Sequence, residues 1–247
     1  MPSERILITR EGETFYVRDL GKDYHTKHGF VKKEILGMAK PGTKITTNTG
    51  KEFFVLEPGF TDLYRRIKRA PQIMLAKDLA VIISETGINN KSMVVDAGSG
   101  SGASACFLGN IAKEVATYEI RKEFAKVAEE NVKFLGLGNV MIKVKDIYKG
   151  IDEKETGLIV LDLPEPWKVL RHAEKSLKAG GFIVAYLPQI TQVLKFVQAL
   201  KKSKKIMYAK TSETIQREWV FEDKIARPSN IKIGHTGFLV FGRKISS

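Results

Sequence analysis

The sequence predicts an α/β protein: a parallel, doubly wound sheet ending in an antiparallel hairpin, preceded by a small β domain. Three observations carry this. From Pro71 onward, short apolar runs alternate with amphipathic helical segments, the pattern of a parallel sheet built from strand-helix-strand units. The first of those runs, Val94-Val95-Asp96, leads into the glycine-rich loop Gly98-Ser99-Gly100-Ser101-Gly102. The last two runs, in KIMYAKTSETIQREWVFED and GHTGFLVFGRK, have a loop and no helix between them, so they pair antiparallel.

Taken in order, residues 1–62 are short apolar runs (RILITR, TFYVRD, KITTNTG, KEFFVLEP) punctuated by Gly12, Gly21, Gly42 and Gly50. They read as a small antiparallel sheet or barrel-like domain. Residues 63–76 form a basic connector that holds Arg65, Arg66, Lys68 and Arg69 ahead of Pro71. A larger second domain follows over 77–247. Its expected elements are a helix over 72–86 that begins in the connector, a strand over 93–96, a helix over 103–113, a strand over 115–119 and a helix over 121–135. Then come strands over 140–145 and 158–162, a helix over 167–178, a strand over 182–187 and a helix over 190–203. The last helix carries Val193, Leu194, Val197 and Leu200 on one face with Lys195 and Lys201 outside, as a surface helix should.

With 247 residues the chain can bury a substantial core in one or two domains. No stretch is long and apolar enough to span a bilayer, and MPSERILITREGE is charged where a signal peptide would be apolar. The expectation is a soluble cytoplasmic protein with no membrane partner. Cys106 lies in ASACFLG among small and apolar residues and reads as a buried, inert thiol. A formal net charge of +13, from 41 Lys and Arg against 28 Asp and Glu, exceeds what a small-molecule enzyme needs and points to a polyanionic partner. Cys and His are not clustered at metal-ligand spacing, so no metal is expected.

Where a parallel strand runs into a helix, free N–H groups meet the ligand, and glycine lets the ligand approach the backbone. Gly98 to Ala103 also fits G-x-G-x-x-[GA], so the glycines alone leave a dinucleotide and S-adenosylmethionine both open. Asp96 separates them. An acid two residues before the first glycine repels a pyrophosphate and attracts a sulfonium and an ammonium group. Glu119 ends the second strand, where a carboxylate can accept both ribose hydroxyls, and Asp146 closes the third, suited to the adenine amino group. One such acid alone reads equally as a helix cap or solvated strand end. Three at successive strand ends resemble the class I S-adenosylmethionine-dependent methyltransferases, whose seven-stranded sheet also ends in an antiparallel hairpin.

The fourth strand runs into Asp162-Leu163-Pro164-Glu165-Pro166-Trp167, with prolines to fix the turn. A carboxylate there can hold an exocyclic amine; its bland reading is a cap for the next helix. LDLPEPW, Tyr186 in VAYLPQITQV, REWVFED, RPSN and GHTGFLVFGRK resemble the tRNA adenine-N1 methyltransferases of the T-loop, in their archaeal branch, over nearly the whole chain. That resemblance implies Asp162 as the catalytic aspartate, also close to the cofactor, and Tyr186 as the tyrosine lining the adenine pocket. It further implies Gln72, Gly98, Gly100, Ser101, Gly102, Glu119 and Asp146 around S-adenosylmethionine. It sets Arg217, Trp219 and His235 at the tRNA side of the cleft, where the connector cations Arg65, Arg66, Lys68 and Arg69 are expected to meet phosphates. It also implies N1-methylation of adenosine 58, with 57 in archaeal relatives, and a homotetramer. Two departures from the family pattern stand out: Met74-Leu75 where Tyr or His followed by Pro is common, and Gln189 where Asn often follows YLP. A noncatalytic tRNA-binding subunit would not need Asp162, the glycine loop or Glu119. A methyltransferase for another substrate would leave the basic excess and the N-terminal domain without a role.

Overall fold

The computed structural model describes residues 4–69, 73–222, 224–230 and 234–246. The chain divides into two compact units, Met1–Arg66 and Ile67–Ser247.

The first unit pairs β1 (Arg5–Ile8) with β2 (Thr14–Val17). A separate ribbon, β3 (Tyr24–Thr26) with β4 (Gly29–Val31), leads to a short helix, α1 (Lys33–Met38), then β5 (Lys44–Thr46), β6 (Glu52–Leu56) and α2 (Phe60–Tyr64). The main sheet is antiparallel in the order β2-β1-β6-β5. Its two edge strands do not pair with each other among the described residues, so this sheet is open. Leu7, Val17, Leu36, Phe53 and Val55 fill its core. The two short helices were not legible in the sequence, because neither is long enough to show a helical period.

The second unit starts with α3 (Ala76–Thr86) and continues through β7 (Met93–Ala97), α4 (Ala103–Gly109), β8 (Glu114–Glu119), α5 (Lys122–Phe134), β9 (Val140–Val144) and β10 (Thr156–Leu161). Then come α6 (Leu170–Ser176), β11 (Leu177–Leu187), α7 (Ile190–Lys202), β12 (Ile206–Glu213), β13 (Trp219–Glu222), β14 (Ile225–Pro228) and β15 (Phe238–Lys244). The seven-stranded sheet runs β12-β15-β11-β10-β7-β8-β9, with β15 antiparallel to both neighbours. Alternate residues along each strand feed two cores, one on each face. Val95, Ile159, Ile183 and Val240 belong to one, and Val94, Val160, Val184 and Leu239 to the other. The order reverses between β7 and β10, and in open α/β sheets the ligand crevice opens at that switch point, beyond the carboxyl ends of the strands.

Several expected boundaries shift for local reasons. Residues 70–72 lie outside the described ones, and the helix expected over 72–86 is described from Ala76. α4 stops at Gly109, short of the expected end at 113, and an added Cβ at Gly109 would sit 2.3 Å from Val140 Cγ2, so the helix end packs closely on β9. β11 begins five residues before the expected strand, carrying a register shift between Thr156 and Leu158 of its partner. The segment expected as one strand ending in REWVFED splits: β12 joins the large sheet, while β13 and β14 form a separate two-stranded hairpin. No described helix is long and apolar enough to cross a membrane, and Cys106 is fully buried with its thiol pushed up to about 12 by burial and the nearby Asp96.

Candidate active site

The glycine loop is shaped by backbone geometry. Gly98, Gly100 and Gly102 all have positive φ, +87°, +51° and +76°, a region that side-chain-bearing residues rarely adopt. At Gly98 there is also no space: an added Cβ would lie 2.1 Å from the carbonyl oxygen of Asp162. That close approach follows from register, since Leu161 of β10 sits beside Ala97 of β7 and the chains leave the sheet side by side, joined by Asp162 N–H donating to Ala97 O at 2.9 Å. The Ser101 hydroxyl is buried with no hydrogen-bond partner among the described residues.

Asp96 does not reach the crevice as expected. It is 2 % exposed, and its two oxygens accept from Ser104 Oγ at 2.9 Å and Thr117 Oγ1 at 2.5 Å, while the Ser99 and Thr117 hydroxyls are themselves hydrogen-bonded. It lies beneath the loop; burial raises its pKa and the neighbouring Glu119 adds to this. Thr117 and Ser104, which hold it, were not singled out in the sequence. The available signal was an inward-facing threonine in the otherwise apolar run Val115–Tyr118.

Glu119 is buried at the end of β8. Burial raises its pKa, but hydrogen bonds from the Arg121 side chain, the Arg121 N–H and the Gly100 N–H outweigh this, and the carboxyl is held below its ordinary value. The bonds are 3.1, 3.0 and 3.0 Å long. Asp146, half-buried after β9, accepts from Tyr148 N–H at 2.9 Å with one oxygen. Glu119, Asp146 and Asp162 line one cavity of about 340 Å³ with Gly98, Tyr118 and Tyr148, within the usual range for small-molecule sites.

Asp162 is half-buried, and no described residue hydrogen-bonds its carboxylate. Burial first, and then repulsion from Asp96, raise its pKa from 3.8 to about 6. One register step beyond the pair Leu161–Ala185 places Tyr186 on the neighbouring strand. Burial above all raises the Tyr186 phenol to about 12, helped by the Asp78 and Asp162 carboxylates. It is therefore a neutral hydrogen-bond donor at neutral pH, and it donates to Thr236 O at 2.6 Å.

The expected RNA-side residues are less unified. His235 Nδ1 lies 2.6 Å from Glu213 Oε1 and Nε2 lies 3.0 Å from Pro188 O. With acceptors on both ring nitrogens, Glu213 first, its pKa is raised, so it clasps β12 to the end of β11. Arg217 is exposed on the loop before β13. Trp219 is 53 % exposed on the separate hairpin; neither it nor Arg217 lines the cavity. In the connector, Arg65 and Arg69 are exposed. Arg66 instead stacks 4.8 Å over the Tyr16 ring, and Lys68 pairs with Glu130 at 2.6 Å, so these two are engaged within the protein. Gln72 lies outside the described residues. Of the two departures, Met74 is buried in the core that includes Tyr186, and Gln189 is exposed ahead of α7, where its backbone carbonyl, not its side chain, starts the helix. No metal-binding cluster of His, Cys, Asp and Glu exists among the described residues.

The chain is 35% identical, over 97% of its own length and 94% of the relative's, to the tRNA (adenine(57)-N(1)/adenine(58)-N(1))-methyltransferase TrmI of Methanocaldococcus jannaschii. Among solved structures, it superposes with a TM-score of 0.87 on an S-adenosylmethionine-dependent O-methyltransferase of Thermotoga maritima, at 30% identity over 100% of this chain and 95% of that one. With the tRNA (m1A58) methyltransferase TrmI of Aquifex aeolicus the TM-score is 0.82, at 27% identity over 100% and 98%. Since residues 54–224 also match the family described as tRNA methyltransferase complex GCD14 subunit, the chain belongs to the GCD14 and TrmI family of S-adenosylmethionine-dependent tRNA adenine-N1 methyltransferases.

Proposed function

We propose that this chain methylates N1 of the T-loop adenosine at position 58 of tRNA, and also position 57 as named for its archaeal relative. The observation that carries the reading is Asp162: a carboxylate in the crevice at the switch point, without a partner of its own among the described residues, beside two acids that suit a nucleoside.

The crevice fits S-adenosylmethionine. The buried, unpartnered Ser101 hydroxyl is a feature that a ligand at the loop would use. Glu119 is suited to the ribose hydroxyls and the second oxygen of Asp146 to the adenine amino group, while Asp96 beneath the loop favours a cation. Bound there, S-adenosylmethionine supplies an electrophilic methyl group on a positively charged sulfur.

The rest of the chemistry belongs to the chain. N1 lies on the Watson–Crick edge, so the target base must leave its stack and enter the pocket. Asp162 accepts the N6–H hydrogen bond and stabilises the positive charge that adenine acquires as N1 is methylated. It can then take the N6 proton. Tyr186, protonated and fixed by Thr236, forms the wall beside it. Arg65, Arg69 and the overall charge of +13 serve phosphate contacts. The exposed apolar hairpin of Trp219, Phe221 and Ile225 supports assembly of copies into the homotetramer, and the tRNA substrate supports a cytoplasmic location.

The test is methyl transfer to a tRNA transcript followed by mapping of the modified nucleotide. N1-methyladenosine in the T-loop is expected, lost when the adenosines at 57 and 58 are replaced by guanosine. Methylation of another nucleotide, or of no RNA at all, would overturn the reading.

A further inference from the structure

Beneath Tyr186 lies a closed polar cluster that the proposed chemistry does not use. Asp78, in the first turn of α3, is fully buried. Its Oδ1 accepts from Lys77 Nζ at 2.8 Å and its Oδ2 from the Thr236 hydroxyl at 2.9 Å. The Lys77 ammonium, whose side chain is 11% exposed, also donates to Thr236 Oγ1 at 2.6 Å and to Thr214 O at 2.7 Å. All three ammonium protons are thereby used, and the threonine hydroxyl both donates and accepts.

A buried ion pair is a poor stabiliser, because apolar residues of the same volume usually serve stability as well or better. Its value lies in fixing one geometry. Here the fixed object is the turn 234–237, held by Thr236 to α3 and by His235 to Glu213 and Pro188. The same turn holds Tyr186 twice. The Thr236 carbonyl accepts its hydroxyl, and Gly237 lies so close under the ring that an added Cβ would be 2.6 Å from Tyr186 Cε2.

We propose that Lys77, Asp78 and the Thr236 side chain are positioning residues for methyl transfer: they lock the 234–237 turn, whose Thr236 carbonyl aims the Tyr186 hydroxyl and so fixes the ring as one wall of the target-base pocket beside Asp162. This rests on the reading of Tyr186 given above. None of the three needs to touch base or methyl donor; their effect passes through Tyr186. An ångström of misplacement can cost about 100-fold in rate, so loosening this clamp should be visible in the chemistry before it is visible in binding.

The test is a double-mutant cycle with Thr236→Val, which keeps the volume and removes the hydroxyl, and Tyr186→Phe. Single-turnover methyl transfer to a T-loop RNA is measured at saturating enzyme, with affinity for S-adenosylhomocysteine and melting temperature as controls. Thr236→Val should slow transfer about 10- to 100-fold with affinity nearly unchanged, and Thr236→Ser should restore the rate. In the Tyr186→Phe background Thr236→Val should have almost no further effect, because coupled residues are non-additive. Independently of activity, protein labelled with 3-fluorotyrosine should give a fluorine resonance for Tyr186, assigned by its loss in Tyr186→Phe. That resonance should shift or broaden in Thr236→Val and return in Thr236→Ser.

Fully additive rate effects, or a Tyr186 resonance untouched by Thr236→Val, overturn the inference. If Tyr186→Phe is slow while Thr236→Val is normal, the clamp fails and the role of Tyr186 stands. If Tyr186→Phe itself transfers at the wild-type rate, the role of Tyr186 fails and takes the clamp with it.

Discussion

Asp162→Asn should make the protein more stable at neutral pH and nearly inactive. In the fold the carboxyl titrates near 6 rather than 3.8, because burial and the negative field of Asp96 oppose its charge. A folded pKa above the unfolded one means that the ionised form strains the native state. The cost is absent below about pH 4, grows between about 4 and 6, and is fully present above that. A gap of about two pH units, at about 1.36 kcal/mol each, amounts to about 3 kcal/mol. The amide of Asn also loses water on burial, so a gain of about 1–2 kcal/mol is the reasonable expectation, or roughly 2–8 °C in melting temperature for a chain of this size. The assay is the difference in melting temperature between variant and wild type across pH: small under acid conditions, rising through pH 6, and flat beyond. In parallel, the wild-type single-turnover rate should fall as pH drops through about 6, while Asp162→Asn should be slower by about 10² to 10⁴ and lack that inflection. A melting-temperature difference that ignores pH would refute the strained carboxylate. A near-normal rate for Asp162→Asn would reduce Asp162 to a turn residue.

Other perturbations have equally definite outcomes. Glu119→Ala removes a charged acceptor and should weaken S-adenosylhomocysteine binding by about 1.5–3 kcal/mol per lost bond in calorimetry; unchanged affinity would remove the ribose from Glu119. Gly98→Ala forces a Cβ against the Asp162 carbonyl at positive φ, so cofactor binding should collapse while the N-terminal unit keeps its fold; normal binding would show that β7 and β10 can separate. Neutralising Arg65 and Arg69 together should lower the salt-dependence slope of tRNA binding by about 0.7–0.9 for each lost phosphate contact, whereas neutralising Lys68, already paired with Glu130, should change it less. The raised pKa of His235, set first by Glu213, predicts a stabilising bond fully present below its unfolded pKa near 6.5 and lost as pH rises through the folded value. His235→Ala should accordingly lower the melting temperature more in mildly acidic than in alkaline buffer, and an equal loss at both would count against the charged clasp.

The sequence by itself determined the sheet and the position of the crevice. Parallel strands buried on both faces must read as unbroken apolar runs, as Leu158–Leu161 does, and a glycine loop after the first of them marks the ligand edge whatever the rest of the chain does. Acids at the ends of β8, β9 and β10 were legible for the same reason: strand ends are countable, and parallel register brings successive ends together. What only the tertiary structure decided are the relations between residues far apart in the chain. Asp96 and Thr117 became partners through sheet register, which made Asp96 a buried anchor; burial first, and then the charge of Asp96, raise the pKa of Asp162. Arg66 and Lys68 look equivalent to Arg65 and Arg69 in sequence, yet their charges are engaged by Tyr16 and Glu130. Lys77 and Asp78 meet Thr236 from the far end of the same unit. No local pattern encodes such a contact, because hydrogen bonds between side chains depend on where two backbones are brought together, not on the sequence around either one.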